Sequence, residues 1–389
     1  MNIRITPGPL EGTVVPPPSK SIAHRAILAA ALAGGGTISN LAASQDIEAT
    51  QRCITALKTA GSDLPLLDCG ESGSTLRFLI PIALVLRGGG HFTGRGRLME
   101  RPQKPYFDIF DEKGVSYEQK DGVLTVRGEL NPGEYRLPGN VSSQFVTGLL
   151  YALPLMEWES QIVLTSPLES RGYVDMTLEV LRDFGITVEN QNYERFIVPG
   201  DQWCTARNYT IEADWSQAAF WYAAIALGSP VELEGMNAFS TQGDMQIVPY
   251  FLKMQGQGAL ELDVSNCPDL VPPLAVMAAL RAGETTRLTN AARLRIKESD
   301  RLASVTQVLT ALGAQVEEGA DFLKITGRDR LAGGVTVDCH NDHRIAMMAA
   351  IAATRCTGPV TILGAECVKK SYPDFWDHYR MLGGKLDVL

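Results

Sequence analysis

The stretch Leu294–Gly327, LRIKESDRLASVTQVLTALGAQVEEGADFLKITG, contains one complete copy of the layout that governs this chain. Leu302, Val305, Val308, Leu309 and Leu312 recur at helical spacing, and Gly313 stops the helix. A short strand, a polar turn and a second strand, Leu323–Thr326, follow, and Gly327 closes them. The same order of helix, glycine, strand, turn, strand and glycine returns at Gly114–Gly128 and at Gly185–Gly200. The three glycine-to-glycine segments agree in length to within one residue. That agreement predicts a duplicated α/β unit, and the strand pairs predict mixed rather than purely parallel sheets.

The start of this helix is chemically loaded. Lys297 and Arg301 are four apart, so they are expected on one face of its first turn, with Glu298 beside them. Cations there oppose the helix dipole, and the arrangement asks for an anion. A solvated turn pairing Lys297 with Glu298 and Asp300 with Arg301 would also account for it. Seven further helices open in the same way, polar and then apolar. Ser19, Lys20, Ser21 and Arg25 open an Ala/Leu-rich helix stopped at Gly34–Gly36. Hydroxyls, free amides and two cations gathered there suit a phosphate. Gly70–Arg77 opens an apolar helix running to Leu86, and Gly73 lets a ligand approach the backbone closely. Val141–Gln144, Ser166–Tyr173, Asp214–Gln217, Asp269–Pro273 and Asn341–Arg344 open the others. Arg95, Arg97 and Arg101 cluster in a loop, where packing makes fewer demands than on a helix face.

At 389 residues the chain is expected to form two domains. Its content is 45% hydrophobic and 20% charged, with a net charge of −9. An acidic balance without interleaved aromatic and basic residues argues against a nucleic-acid or anionic-membrane surface. The seven cysteines form no CxxC pair and no zinc spacing, and read as reduced packing residues of a cytoplasmic protein. No signal peptide is visible, and the longest apolar run, Phe78–Leu86, is too short to span a bilayer.

Taken in order, SKSIAHR (19–25), SGSTLR (72–77), MERP (99–102), SSQF (142–145), SRGYVDMTL (170–178), the turn at Asp269, RIKESDR (295–301), NDHR (341–344) and KKSYPDFW (369–376) resemble the 5-enolpyruvylshikimate-3-phosphate (EPSP) synthase family. The likeness runs from about residue 14 to about 380. It implies an α/β fold of two similar domains, each of three repeated α/β units in an inside-out barrel, with helix N-termini facing the interdomain cleft. Residues 19–212 would be one domain, inserted between 1–18 and 213–389 of the other. The implied reaction joins phosphoenolpyruvate to the 5-hydroxyl of shikimate 3-phosphate and releases phosphate, on the route to chorismate and aromatic amino acids.

Carried over by position, Lys20, Ser21, Arg25, Ser142, Ser143, Gln144 and Ser170 would hold shikimate 3-phosphate, with Asp269 and Lys297 on its ring hydroxyls. Lys20, Gly73, Arg101, Gln144, Arg301, Arg344 and Lys370 would surround phosphoenolpyruvate. Asp269, Glu298 and Lys20 are the implied proton handlers, and no metal or organic cofactor is implied. A monomer is the default expectation. Two positions depart from the family pattern: Glu71 stands where asparagine is frequent, and Arg293 where some members carry asparagine. The sister transferase acting on UDP-N-acetylglucosamine usually carries a loop cysteine, and Arg87–Pro105 has none. A non-catalytic phosphometabolite-binding module would not need Asp269 and Glu298 beside the cations.

Overall fold

All three expected hairpins are present. Ser116–Lys120 pairs with Val123–Arg127, Glu189–Gln191 with Arg195–Val198, and Gln315–Glu318 with Leu323–Thr326, each antiparallel. A computed structural model describes residues 1–389. The chain divides into two units, Pro18–Ile211, and Met1–Pro17 with Glu212–Leu389.

Within Pro18–Ile211 the hairpins complete two four-stranded sheets of identical order. In one, Val123–Arg127 lies antiparallel to Gly89–Thr93, which runs parallel to Leu66–Asp68. In the other, Arg195–Val198 lies antiparallel to Ser160–Leu164, which runs parallel to Glu134–Leu137. The strands alternate as half-buried strands do: Leu124 and Val126 are fully buried, whereas their neighbours are not. A short parallel pair, Ile38–Ser39 with Tyr209–Thr210, marks the third repeat.

The second unit repeats the scheme. Leu323–Thr326 is antiparallel to Thr285–Thr289, itself parallel to Leu260–Asp263. A fourth copy escapes the glycine spacing because its strands come from both ends of the sequence. Ile3–Thr6 sits between Val360–Leu363 and Lys385–Val388, with Thr336–Asp338 outermost. The first strand of the chain thus fills the place of a hairpin's second strand. Gly12–Val14 and Val231–Leu233 form the short parallel pair of this unit. Each unit encloses its own apolar core.

All eight helices expected from their polar starts exist, as do helices at Gln45–Thr59, Lys104–Lys113, Ile247–Met254 and Phe375–Met381. No helix is long and apolar enough to cross a membrane. One expectation is corrected: the helix after Asp300 begins at Arg301, so Lys297 is not on its first turn. Ala292–Ile296 forms a 3-10 helix instead, and Lys297 is extended. Asp300 starts the helix because its carboxylate accepts the Ala303 amide.

The Gly73–Arg87 helix carries Pro81 in its interior. Proline cannot donate to the Arg77 carbonyl one turn back. The Tyr106 hydroxyl donates there instead, at 2.7 Å. A Cβ on Gly148 would overlap that hydroxyl, which explains glycine in the middle of the Ser143–Ala152 helix.

Candidate active site

Four of the six α-helix tips of Pro18–Ile211 are capped by neutral serines. Ser19 accepts the Ile22 amide, Ser44 that of Ile47, Ser72 that of Thr75 and Ser142 that of Gln144. In the other unit the equivalent caps are carboxylates: Asp214, Asp300 and Asp342 accept amides at the tips they open. A carboxylate neutralises a helix dipole and a hydroxyl does not, so the serine-capped tips stay attractive to anions.

Lys20, the first residue of its helix, ion-pairs with Asp46 at 2.8 Å, at 15% and 12% side-chain exposure. Ser21 follows it on the same tip. Arg25, one turn further, is buried. Its Nε donates to the Thr177 hydroxyl at 2.8 Å, and its terminal nitrogens to the carbonyls of Ser21 at 2.6 Å and Tyr173 at 2.8 Å. Burial lowers its guanidinium to about 10. Arg25 therefore ties its own helix to the helix that Ser170 opens. Ser170 itself takes a left-handed backbone conformation.

At the Gly73 tip, the Arg101 guanidinium lies where a side chain on residue 73 would be. Arg101 is largely buried and its Nε hydrogen-bonds nothing. Gln144 is oriented at both ends: its amide donates to the Ser74 hydroxyl at 3.0 Å, and its oxygen accepts from Arg77 at 2.8 Å. Arg77 is in turn held by the Pro102 carbonyl and stacks over Phe145. Glu71 packs against the turn at Gly96.

The second cluster is organised around Arg301, 1% exposed. Its three nitrogens reach three carboxylates at 2.7 Å each: Nε meets Asp342, and the terminal nitrogens meet Asp269 and Glu298. Burial alone would lower this guanidinium, but the carboxylates of Asp342, Glu298 and Asp269 hold it well above its ordinary value. The cationic helix start thus finds its anions inside the protein. Arg344 adds 3.0 Å contacts to Asp269 and to the Ser216 hydroxyl. Lys297 approaches Asp269 at 3.6 Å, and burial lowers its ammonium to about 8 despite that neighbour. Lys370 donates to the Asn341 carbonyl at 2.7 Å. Arg293 donates to the carbonyl of Ser265.

Every proposed site residue thus lies in one of two clusters, Lys20 to Ser170 in one unit and Asp269 to Lys370 in the other. Sequence reading missed Asp46, Arg77 and Asp342 as partners. Asp342 was visible as the acidic residue of NDHR, two before the arginine whose amide it caps at 3.0 Å. Asp46 stands in a helix without any local signal, and only the fold brings it to Lys20.

A family model described as EPSP synthase (3-phosphoshikimate 1-carboxyvinyltransferase) matches residues 5–379. The 3-phosphoshikimate 1-carboxyvinyltransferases of Clostridium beijerinckii and Clostridium novyi are each 44% identical to this chain, covering 99% of it and 98% of theirs. A solved structure of EPSP synthase from Acinetobacter baumannii superposes with a TM-score of 0.80 at 25% identity, over 99% of each chain.

Proposed function

The chain belongs to the EPSP synthase family, and from that premise we infer that it transfers the enolpyruvyl group of phosphoenolpyruvate to the 5-hydroxyl of shikimate 3-phosphate. The near-complete match to curated relatives carries the reading, and the two clusters supply parts for the chemistry. Oxygen 5 bonds to carbon 2 of phosphoenolpyruvate as its proton leaves and carbon 3 gains one. Carbon 3 then loses a proton, the bond from carbon 2 to phosphate breaks, and the enol ether forms.

In our proposal the serine-capped tips hold the phosphate of shikimate 3-phosphate through Lys20, Ser21, Ser142, Ser143, Gln144 and Ser170, with Arg25 behind them. Lys297 and Asp269 take the ring hydroxyls. Lys20, Gly73, Arg101, Gln144, Arg301, Arg344 and Lys370 take phosphoenolpyruvate. Joining two anionic metabolites sets like charges against each other. At ~5 Å and an effective dielectric of ~20 each unit-charge pair costs about 3 kcal/mol. Arginine forks and lysine ammoniums offset this, and arginine suits carboxylate and phosphate through paired donors.

Asp269 takes the hydroxyl proton; Arg301, Arg344 and Lys297 surround its carboxylate and fix its position. Glu298 serves carbon 3, with the Lys20 ammonium as a second source of a proton. The seven free cysteines fit a reducing compartment, and we propose a monomer in the cytoplasm. The test is phosphate release with both substrates, each omitted in turn. Release that needs both supports the reading. Release with UDP-N-acetylglucosamine in place of shikimate 3-phosphate overturns the acceptor assignment.

A further inference from the structure

A buried hydrogen-bond chain runs from His24 to Ser72, through none of the residues assigned above. His24 Nδ1 lies 2.7 Å from the Thr50 hydroxyl, Thr50 lies 2.6 Å from the Thr75 hydroxyl, and Thr75 donates to the Ser72 hydroxyl at 2.7 Å. All four residues are at most 1% exposed.

The chain has one direction. Thr75 has a single hydroxyl proton and gives it to Ser72, so across the 2.6 Å contact Thr50 donates to Thr75, in preference to the Asp46 carbonyl 3.3 Å away. Thr50 then has no proton left, so His24 must donate from Nδ1. That fixes the tautomer and leaves Nε2 as a bare lone pair, buried with no hydrogen-bond partner. Burial, Lys20 and Arg25 together hold the ring well below its ordinary range, in agreement with a neutral imidazole.

The spacing ties this chain to the helix tips. Lys20 and His24 are four apart on one helix, and Asp46 and Thr50 are four apart on the next. The Lys20–Asp46 ion pair and the His24–Thr50 hydrogen bond are therefore successive rungs between the same two helices. Thr50–Thr75 then fastens a third helix, whose cap is Ser72 and whose first residue is Gly73.

We propose that His24, Thr50 and Thr75 are positioning residues that set the Ser72–Gly73 tip in register with Lys20. Ser72 receives both the Thr75 amide and the Thr75 hydroxyl, which locks the capping rotamer and with it the backbone against which Arg101 lies. The proposal rests on the reading that these tips bind the two substrates.

The test compares Thr75→Val and Thr50→Val with Thr75→Ser and Thr50→Ser in the full chain. Thr75→Val is expected to raise the KM for phosphoenolpyruvate about tenfold, the size set by one buried hydroxyl losing its partner, with the KM for shikimate 3-phosphate within about twofold. Serine, which keeps the hydroxyl, is expected to restore the wild-type value. Valine and serine variants with the same KM values overturn the proposal, whatever their melting temperatures. Nitrogen-15 NMR of His24 supplies a reading independent of turnover. A proton on Nδ1, lost in Thr50→Val, supports the relay, and a proton on Nε2 refutes it. Wild-type protein that releases no phosphate from the two substrates sinks the functional reading instead, and the relay is then judged by the tautomer.

Discussion

The Arg101 guanidinium lies against the Cα of Gly73, its Nη1 2.5 Å and its Cζ 2.9 Å from where a Cβ on residue 73 would stand. Real Cβ contacts do not come that close, so even one methyl group must displace the guanidinium. Gly73 is thus needed for the seat of a neighbouring cation.

Gly73→Ala is therefore expected to raise the KM for phosphoenolpyruvate by roughly ten- to a hundredfold, the worth of one charged hydrogen bond. The KM for shikimate 3-phosphate should change little. Kinetics with each substrate varied in turn measures this. A crystal structure of the variant with Arg101 unmoved would overturn the displacement of the guanidinium and leave the methyl group acting by itself.

Arg25 predicts a combined effect. Its donors reach Thr177, Tyr173 and Ser21 inside a buried region. Arg25→Ala leaves several acceptors without a donor, at about 1–3 kcal/mol each, and the stability loss is expected to be roughly 3 kcal/mol. The KM for shikimate 3-phosphate should rise as well. Chemical denaturation reads the first effect and steady-state kinetics the second. An unchanged KM removes Arg25 from the phosphate site, and an unchanged midpoint contradicts its structural role.

Asp269→Asn removes the proposed base and keeps the side-chain shape. Turnover is expected to fall ~10²–10⁴-fold, the range of a lost general base, while shikimate 3-phosphate still binds. Arg301 keeps Asp342 and Glu298, so the buried cation stays paired and the variant should fold with a lowered melting temperature. Turnover within a few-fold of wild type would overturn the assignment of Asp269.

The hairpins and polar helix starts were legible because each is written locally, in glycine stops, in alternation and in capping residues. The fourth four-stranded sheet was not legible, since Ile3–Thr6 is hundreds of residues from Lys385–Val388 and no spacing rule spans that gap. Lys20, Arg25, Arg301 and Arg344 were legible from their place at helix starts and Arg101 from its arginine-rich loop, whereas Lys370 came only with the family resemblance. Their partners were not. The pairing read from neighbours, Asp300 with Arg301, is replaced by Arg295 with Asp300 and by Arg301 with Asp342, forty-one residues away. Periodicity marks which face of a helix is buried, but it does not say which distant carboxylate will arrive there.

Lys297 gives a prediction in pH. Burial brings its ammonium from 10.5 down to about 8, while Asp269 pulls the other way and Arg301 adds to the depression. A lowered folded-state value means that folding disfavours the protonated lysine. Its contribution to stability is therefore most favourable above about 10.5 and is lost as pH falls through about 8. For activity the charged form is the useful one, because the ammonium is proposed to hold the ring hydroxyls beside Asp269. The profile of kcat/KM for shikimate 3-phosphate should accordingly bend downward above a pH of about 8, where half of the ammonium is lost. Lys297→Arg keeps a charge that does not titrate in this range. Its kcat/KM should be lower throughout, since the fork cannot copy the ammonium's contacts, but the bend near 8 should vanish. A bend at the same pH in the arginine variant would mean that another group carries it, and Lys297 would then have no part in the pH dependence.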